Sequence, residues 1–324
     1  MGLRFFFLVV VFVFWDLEAH ANSADPNSQL TQKDIFILAG QSNMAGRGGV
    51  INDVATGTQI WDGVVPSACR PNPSILRLDA KLNWVEAHEP LHADIDVASA
   101  DGVGPGMAFA NAVLAQEPSS FGPIGLVPCA IGGTNISQWE RGSLLYRRMV
   151  RRARAAVAQQ GGGGGGTLRA LLWYQGESDT IVKQDAESYG RRLEKLFQDI
   201  RLDLMSPMLP IIQVALASGE GRFVDIVREA QFGTDLLNLR TVDAMGLTLR
   251  PDKLHLTTES QVRLGEMMAD AFLNFIPNHL SATSNPINAN FDQSTTSPTL
   301  LISNFIFSYA MIPLLTILLL ITSF

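Results

Sequence analysis

Residues 34–46 read DIFILAGQSNMAG, an unbroken apolar run that ends in a glycine and then a serine among small and polar residues. A short apolar run bounded by turn residues suits a strand covered on both faces, as in the middle of a parallel sheet. Gly40 lets the chain turn at the C-terminal end of that strand, where open α/β sheets hold their ligands. This one stretch favours an α/β fold and puts Ser42 at its ligand-binding edge. A serine at such a turn also serves as a plain helix cap, so Ser42 becomes a nucleophile candidate only with a base to activate it.

The chain has five histidines: His20, His88, His92, His255 and His279. His20 falls in a leader-like start and His279 just before a low-complexity segment. His255 stands in RPDKLHLT, after the apolar run at 240–245 and before a helix-like stretch. Asp252 and His255, three apart on one loop, can set a carboxylate against one imidazole nitrogen while the other nitrogen serves Ser42. Between these motifs, the strand candidate at 168–174 ends in QGESD. Gln175 there offers an amide donor to a developing oxyanion. The run at 125–130 ends in IGGT, whose glycine N–H groups can approach a substrate closely.

The blocks GQSNMAG, GGT, WYQGESD and DxLHLT, in that order, resemble the SASA-type carbohydrate esterases of the SGNH (GDSL-like) hydrolase superfamily. That group includes the sialate O-acetylesterase domains and their plant relatives. The resemblance runs from Asp34 to Ile276. It implies Ser42 as nucleophile, His255 as base and Asp252 as its orienter. The Ser42 amide, the Gly133 amide and the Gln175 side chain would form the oxyanion hole, Gln175 replacing the superfamily's asparagine. Asn43 and Glu177 belong to the same motifs as substrate-binding or supporting residues. For Glu177 three roles stay open: orienting Gln175, orienting Arg47, or binding substrate.

Five strands centred on Ile37, Leu126, Leu171, Ile212 and Val242 alternate with helix-like stretches at 107–116, 144–159, 187–202, 223–237 and 257–276. Strands separated by helices of this length give right-handed crossovers and a three-layer α/β/α sandwich with a central parallel five-stranded sheet. The glycine run at 161–166 reads as a flexible loop, since no G-K-[ST] follows it. Residues 47–103 show no alternation and read as a wall of the substrate cleft, with His92 or Asp94 contacting sugar hydroxyls. In the same segment His88-Glu89-Pro90-Leu91-His92 satisfies H-E-x-x-H, but Pro90 opposes the helix that a zinc pair at that spacing requires. Asp94, Asp96 and Asp101 lack the spacing of a calcium loop.

The ends read as targeting segments. Residues 1–21 hold a basic start, eleven apolar residues from Phe5 to Trp15 and an Ala-His-Ala cleavage pattern, the plan of a signal peptide. Residues 30–280 form the esterase domain, 281–299 a polar linker, and 300–324 an apolar tail with no basic residue. That tail reads as a GPI signal ahead of a membrane-spanning anchor. The expected address is the secretory pathway and cell surface, touching membrane only through the tail.

A net charge of -7 disfavours nucleic acid. The arginines at 147, 148, 151, 152 and 154 read as a mostly solvated helix face. Cys69 and Cys129, the only cysteines, are a possible disulfide in that compartment or free core thiols. Asn135 heads the sole glycosylation sequon. The reading is a serine esterase that needs no cofactor or metal and removes acetyl groups from oligo- or polysaccharide. An SGNH esterase on another ester, a silent carbohydrate-binding protein and a zinc hydrolase are the alternatives.

Overall fold

The computed structural model describes residues 32–158 and 165–275. The leader at 1–21, the linker and the apolar tail lie outside the described residues. Among the described residues no helix is long and apolar enough to cross a membrane.

The first strand, β1 (Lys33–Gly40), is buried along its whole length, as expected of a strand covered on both faces. It takes the centre of a seven-stranded sheet with β4 (Ile75–Leu78), β5 (Trp84–Glu86), β6 (Ile124–Pro128), β7 (Gly166–Tyr174), β8 (Ile211–Ala215) and β9 (Leu239–Asp243). The order is β5-β4-β6-β1-β7-β8-β9. All neighbours are parallel except the edge pair β4 and β5. From β1 the chain fills one side of the sheet and then the other, so β6 and β7 flank it. The crevice beyond Gly40 is therefore the topological switch point, where such sheets bind ligands.

Period-two alternation assigns the faces. Phe36 meets Phe109 of α2 (Pro105–Gln116) and Phe272 of α6 (Thr258–Leu273), with ring centroids 5.0 and 4.9 Å away. Phe36 lies opposite Ala170 in the register, so Trp173, three residues on, faces the other side. There it packs edge-on against Trp139 and against Phe197 of α4 (Lys183–Asp203). Helix α3 (Leu144–Val157) runs along β6, β1 and β7, and α5 (Val224–Gly233) packs on β8. The result is an α/β/α sandwich.

The five expected strands are all present, but the sheet is wider than the five read from sequence. β4 and β5 come from the 47–103 segment, which also supplies a separate hairpin of β2 (Val50–Asn52) and β3 (Gln59–Trp61). Each of these strands has only three or four residues, too few to show a period. The segment that showed no alternation thus supplies two strands of the main sheet and a hairpin.

Candidate active site

Gly40 takes a φ of +136°, and a Cβ added there would fall 2.0 Å from the Tyr174 carbonyl oxygen. Only glycine lets β1 end this close to β7. The next residues form a single helical turn, α1 (Ser42–Ala45), whose first N–H groups have no carbonyl one turn back. Ser42 is 5% exposed at the head of this turn.

The second half of the site hangs from β9. Residues 249–256 fold back on themselves, with a Leu249–Leu256 bridge and the Arg250 N–H donating to the His255 carbonyl at 2.7 Å. Asp252 Oδ1 accepts the N–H groups of Leu254 and His255, both at 3.0 Å, which fixes the turn from inside. Its Oδ2 faces His255 Nδ1 at 3.0 Å, and His255 Nε2 faces Ser42 Oγ at 2.9 Å. Arg250 Nη1 also reaches Asp252 Oδ2 at 3.2 Å. Residues 213 apart in sequence thus meet in one relay.

Electrostatics suit a base. Burial holds the His255 pKa below its ordinary value, against the opposing pull of Asp252, so the ring is neutral at pH 7. Burial opposes ionisation of Asp252, but the hydrogen bonds from the backbone and ring of His255 outweigh it and leave its pKa lowered. The pair is a neutral imidazole beside a carboxylate.

Asn43 joins the two halves. Its Oδ1 accepts the Leu256 N–H at 3.0 Å, and its Nδ2 donates to Glu177 Oε1 at 2.8 Å and to the Leu254 carbonyl at 3.3 Å. Leu254 and Leu256 flank His255, so Asn43 and Glu177 lock the serine turn to the histidine loop. This gives Glu177 a partner other than the Gln175 or Arg47 considered from sequence, and removes it from substrate. Burial pushes its carboxyl up to about 7.

Gln175 is not aimed at Ser42. It is fully buried, and its amide nitrogen lies within hydrogen-bond reach of Gln41 Oε1 at 3.2 Å, the Thr134 carbonyl at 2.8 Å and Asp179 Oδ2 at 2.7 Å. Two amide hydrogens face three acceptors, so none is left for an oxyanion. The oxyanion role expected of Gln175 is corrected to one of binding three loops together. Gly133 remains on the exposed side, at a φ of +67° with open space where a Cβ would point. The preceding Gly132 is packed close: a Cβ there would lie 2.7 Å from Arg47 Nη2 and 3.6 Å from Ser42 Cβ.

Beneath Gly132 lies a group that sequence reading did not assemble. Arg47 is buried, pairs with Asp96 at 2.5 Å and with Asp101, and donates to the Gly46 carbonyl. Asp96 Oδ2 also accepts the Gly132 N–H at 3.1 Å. Of the three aspartates weighed as a calcium loop, Asp96 and Asp101 are instead the counter-charges of one arginine. The signal was present in the Arg47 that closes the serine motif, but nothing local marks its partners.

His92 is not a sugar contact: it is 1% exposed, and burial pushes its pKa down to about 3. Asp94 binds Arg77 at 2.7 Å and the Ala80 N–H at 2.8 Å. Residues 88–92 form no helix, so His88 and His92 do not share the helical face of a zinc pair. Cys69 and Cys129 are free and buried, their thiols pushed up by burial to about 12 and about 11. The disulfide option is closed.

Fold and site together define a three-layer α/β/α protein with a serine, a histidine and an aspartate aligned at the switch point. Over residues 32–274 the sequence matches the SASA family, described as carbohydrate esterase, sialic acid-specific acetylesterase, and the chain belongs to that family. A probable carbohydrate esterase of Arabidopsis thaliana is 56% identical over 247 residues, spanning 76% of this chain and 93% of that one. The crystal structure of that Arabidopsis protein superposes with a TM-score of 0.71, covering 75% of this chain and 98% of its own. Two further structures share the fold. NanS is 17% identical with a TM-score of 0.56, over 76% of this chain and 98% of its own. A carbohydrate acetylesterase from Xanthomonas citri is 19% identical with a TM-score of 0.51, over 74% of this chain and 56% of its own.

Proposed function

We propose that this carbohydrate esterase removes O-acetyl groups from oligo- or polysaccharides through a covalent acyl-enzyme on Ser42. The observation that carries the reading is the continuous Ser42 Oγ, His255 Nε2, His255 Nδ1, Asp252 Oδ2 relay, with contacts of 2.9 and 3.0 Å. Ser42 Oγ attacks the ester carbonyl while its proton passes to His255 Nε2. Asp252 stabilises the imidazolium that forms. The tetrahedral oxyanion takes hydrogen bonds from the N–H groups of Ser42 and Gly133. As it collapses, the C–O bond to the sugar breaks and the leaving oxygen collects the proton from His255. Water, deprotonated by the same ring, then cleaves the acetyl-serine and releases acetate. The family description and the naming of the Arabidopsis relative support a carbohydrate substrate.

A surface-anchored address belongs to the same proposal, and release from cells by phosphatidylinositol-specific phospholipase C tests it. The chemical test is acetate release from acetylated oligosaccharides by wild type and Ser42→Ala. The expected result is loss of nearly all activity in a variant that keeps its circular dichroism spectrum. Activity within a few fold of wild type would remove Ser42 from the chemistry.

A further inference from the structure

Helix α3 carries Arg148, Arg151 and Arg152 at i, i+3 and i+4, on one face. All three line a cavity of about 210 Å³ whose remaining walls include Ile95, Ile131 and Met149. Arg152 is buried and spends its donors on the carbonyls of Pro128, Asp79 and Leu78, at 2.8, 2.9 and 2.6 Å. Its charge therefore meets no carboxylate. Arg148 and Arg151 are exposed, and no ion pair among the described residues engages either. Asp94, the acidic residue of the lining, is already paired with Arg77. In a chain of net charge -7, this is a locally positive hollow.

Its position links it to the nucleophile. Ile131 is the residue before Gly132, whose Cβ direction points to within 3.6 Å of Ser42 Cβ. Ile95 precedes Asp96, which holds the Gly132 N–H. Two walls of the hollow thus directly precede Gly132, which packs beside Ser42, and Asp96, which holds Gly132. The volume falls below the roughly 300–1,000 Å³ of a drug-sized site, enough for one small unit rather than a whole oligosaccharide.

Resting on the esterase reading above, we propose that Arg148 and Arg151 form a subsite for the carboxylate of an acidic sugar unit next to the acetylated one. Two guanidinium forks can grip a carboxylate, while the half-buried Ile95 and Ile131 offer apolar contact to a sugar ring. The preferred substrate is then an acetylated saccharide bearing carboxylates.

A matched pair of disaccharide probes tests this: an O-acetylated sugar unit linked to a neighbouring glucuronic acid or to a neighbouring glucose, the two neighbours differing only at C6. Wild type should favour the acid by ~10-fold in kcat/KM, a preference that shrinks with added salt. The double variant R148Q/R151Q should bring the ratio to near one, while hydrolysis of an uncharged aryl acetate stays unchanged. R148K/R151K should retain part of the preference. Equal kcat/KM on the two glycosides, or a preference that survives R148Q/R151Q, would overturn the subsite. A second arm needs no turnover: methyl glucuronide titrated by NMR into Ser42→Ala should shift resonances of α3, and the shifts should vanish when R148Q/R151Q is added. Absence of those shifts refutes the subsite even where esterase activity stands. Their presence in a protein inactive on every acetate ester supports the subsite and refutes the esterase reading alone.

Discussion

The side-chain amide of Asn43 donates to Glu177 Oε1 at 2.8 Å, with both residues closed off from solvent. Asn43 sits directly after Ser42, and its side-chain Oδ1 accepts the N–H of Leu256, directly after His255. The distance from Ser42 to His255 therefore depends on a side chain that belongs to neither. Asn43→Ala strands the Leu256 N–H and the Glu177 carboxyl, at about 1–3 kcal/mol for each buried group left unpaired. It should lower the melting temperature and cut kcat by at least ~10-fold, because small misplacements in a reacting site are costly. Glu177→Gln preserves the acceptor for Asn43 and should stay within a few fold of wild type. Steady-state kinetics with thermal melts decide it, and an Asn43→Ala enzyme with wild-type kcat would reduce the lock to packing.

The lowered pKa of His255 predicts the acid side of the rate profile. In the proposed mechanism the ring must be neutral to accept the Ser42 proton, so kcat/KM should be flat at pH 7 and fall only as pH drops below the ordinary histidine value of 6.5. Asp252 pulls that pKa upward. In Asp252→Asn the acid limb should therefore move to still lower pH while the plateau drops by roughly 10²-fold or more. A limb that moves to higher pH would show that Asp252 does not face the titrating group.

Gln175 separates two roles by kinetics and stability. A donor aimed at the transition state, when removed, lowers kcat with an unchanged melting temperature. The observed contacts to Gln41, Thr134 and Asp179 predict the reverse emphasis for Gln175→Ala. The Thr134 carbonyl and the Asp179 carboxylate lose a buried partner, so the melting temperature should fall by several degrees, for a loss of about 1–3 kcal/mol. Loss of turnover of 10²-fold or more with no change in melting would restore the oxyanion role.

Local signals carried the central strands and the meeting of Ser42 with the Asp252-His255 loop into view, because each depends on a run of neighbouring residues. A buried strand such as β1 writes its burial as an apolar run, and a D-x-x-H turn writes its geometry as spacing. Gln175 was misread for the opposite reason. Its amide can donate to an oxyanion, but whether it does depends on Gln41, Thr134 and Asp179, which lie 134, 41 and 4 positions away. The clamp of Arg47 by Asp96 and Asp101 is likewise a fact about loop packing, as is the burial of His92. Arg152 looked like one more solvated charge of α3 until three strand-end carbonyls were found around it.

Glu89, left over from the H-E-x-x-H pattern, should make stability depend on alkaline pH. It is fully buried, accepts N–H groups from Leu91 at 3.0 Å and Gly104 at 3.4 Å, and is pushed by burial to about 8 from an ordinary value of 4.5. Its folded pKa is raised, so the native state binds the proton more tightly. The stability this contributes is complete below about 4.5 and is lost as pH rises through about 8. Buried His92, lowered to about 3, acts in the other direction but only below 6.5, which leaves the range above neutrality clear of it. Glu177 and Asp101, both raised to about 7, add slope of the same sign at the lower end of that range. Urea unfolding between pH 7 and 9 should show falling stability, with at most about 1.4 kcal/mol per pH unit from any one of these groups. Glu89→Gln should be less stable than wild type at pH 6, since one N–H loses its acceptor, yet show a shallower slope from pH 7 to 9. Parallel slopes for the two proteins would mean that Glu89 keeps its proton, or its charge, throughout this window.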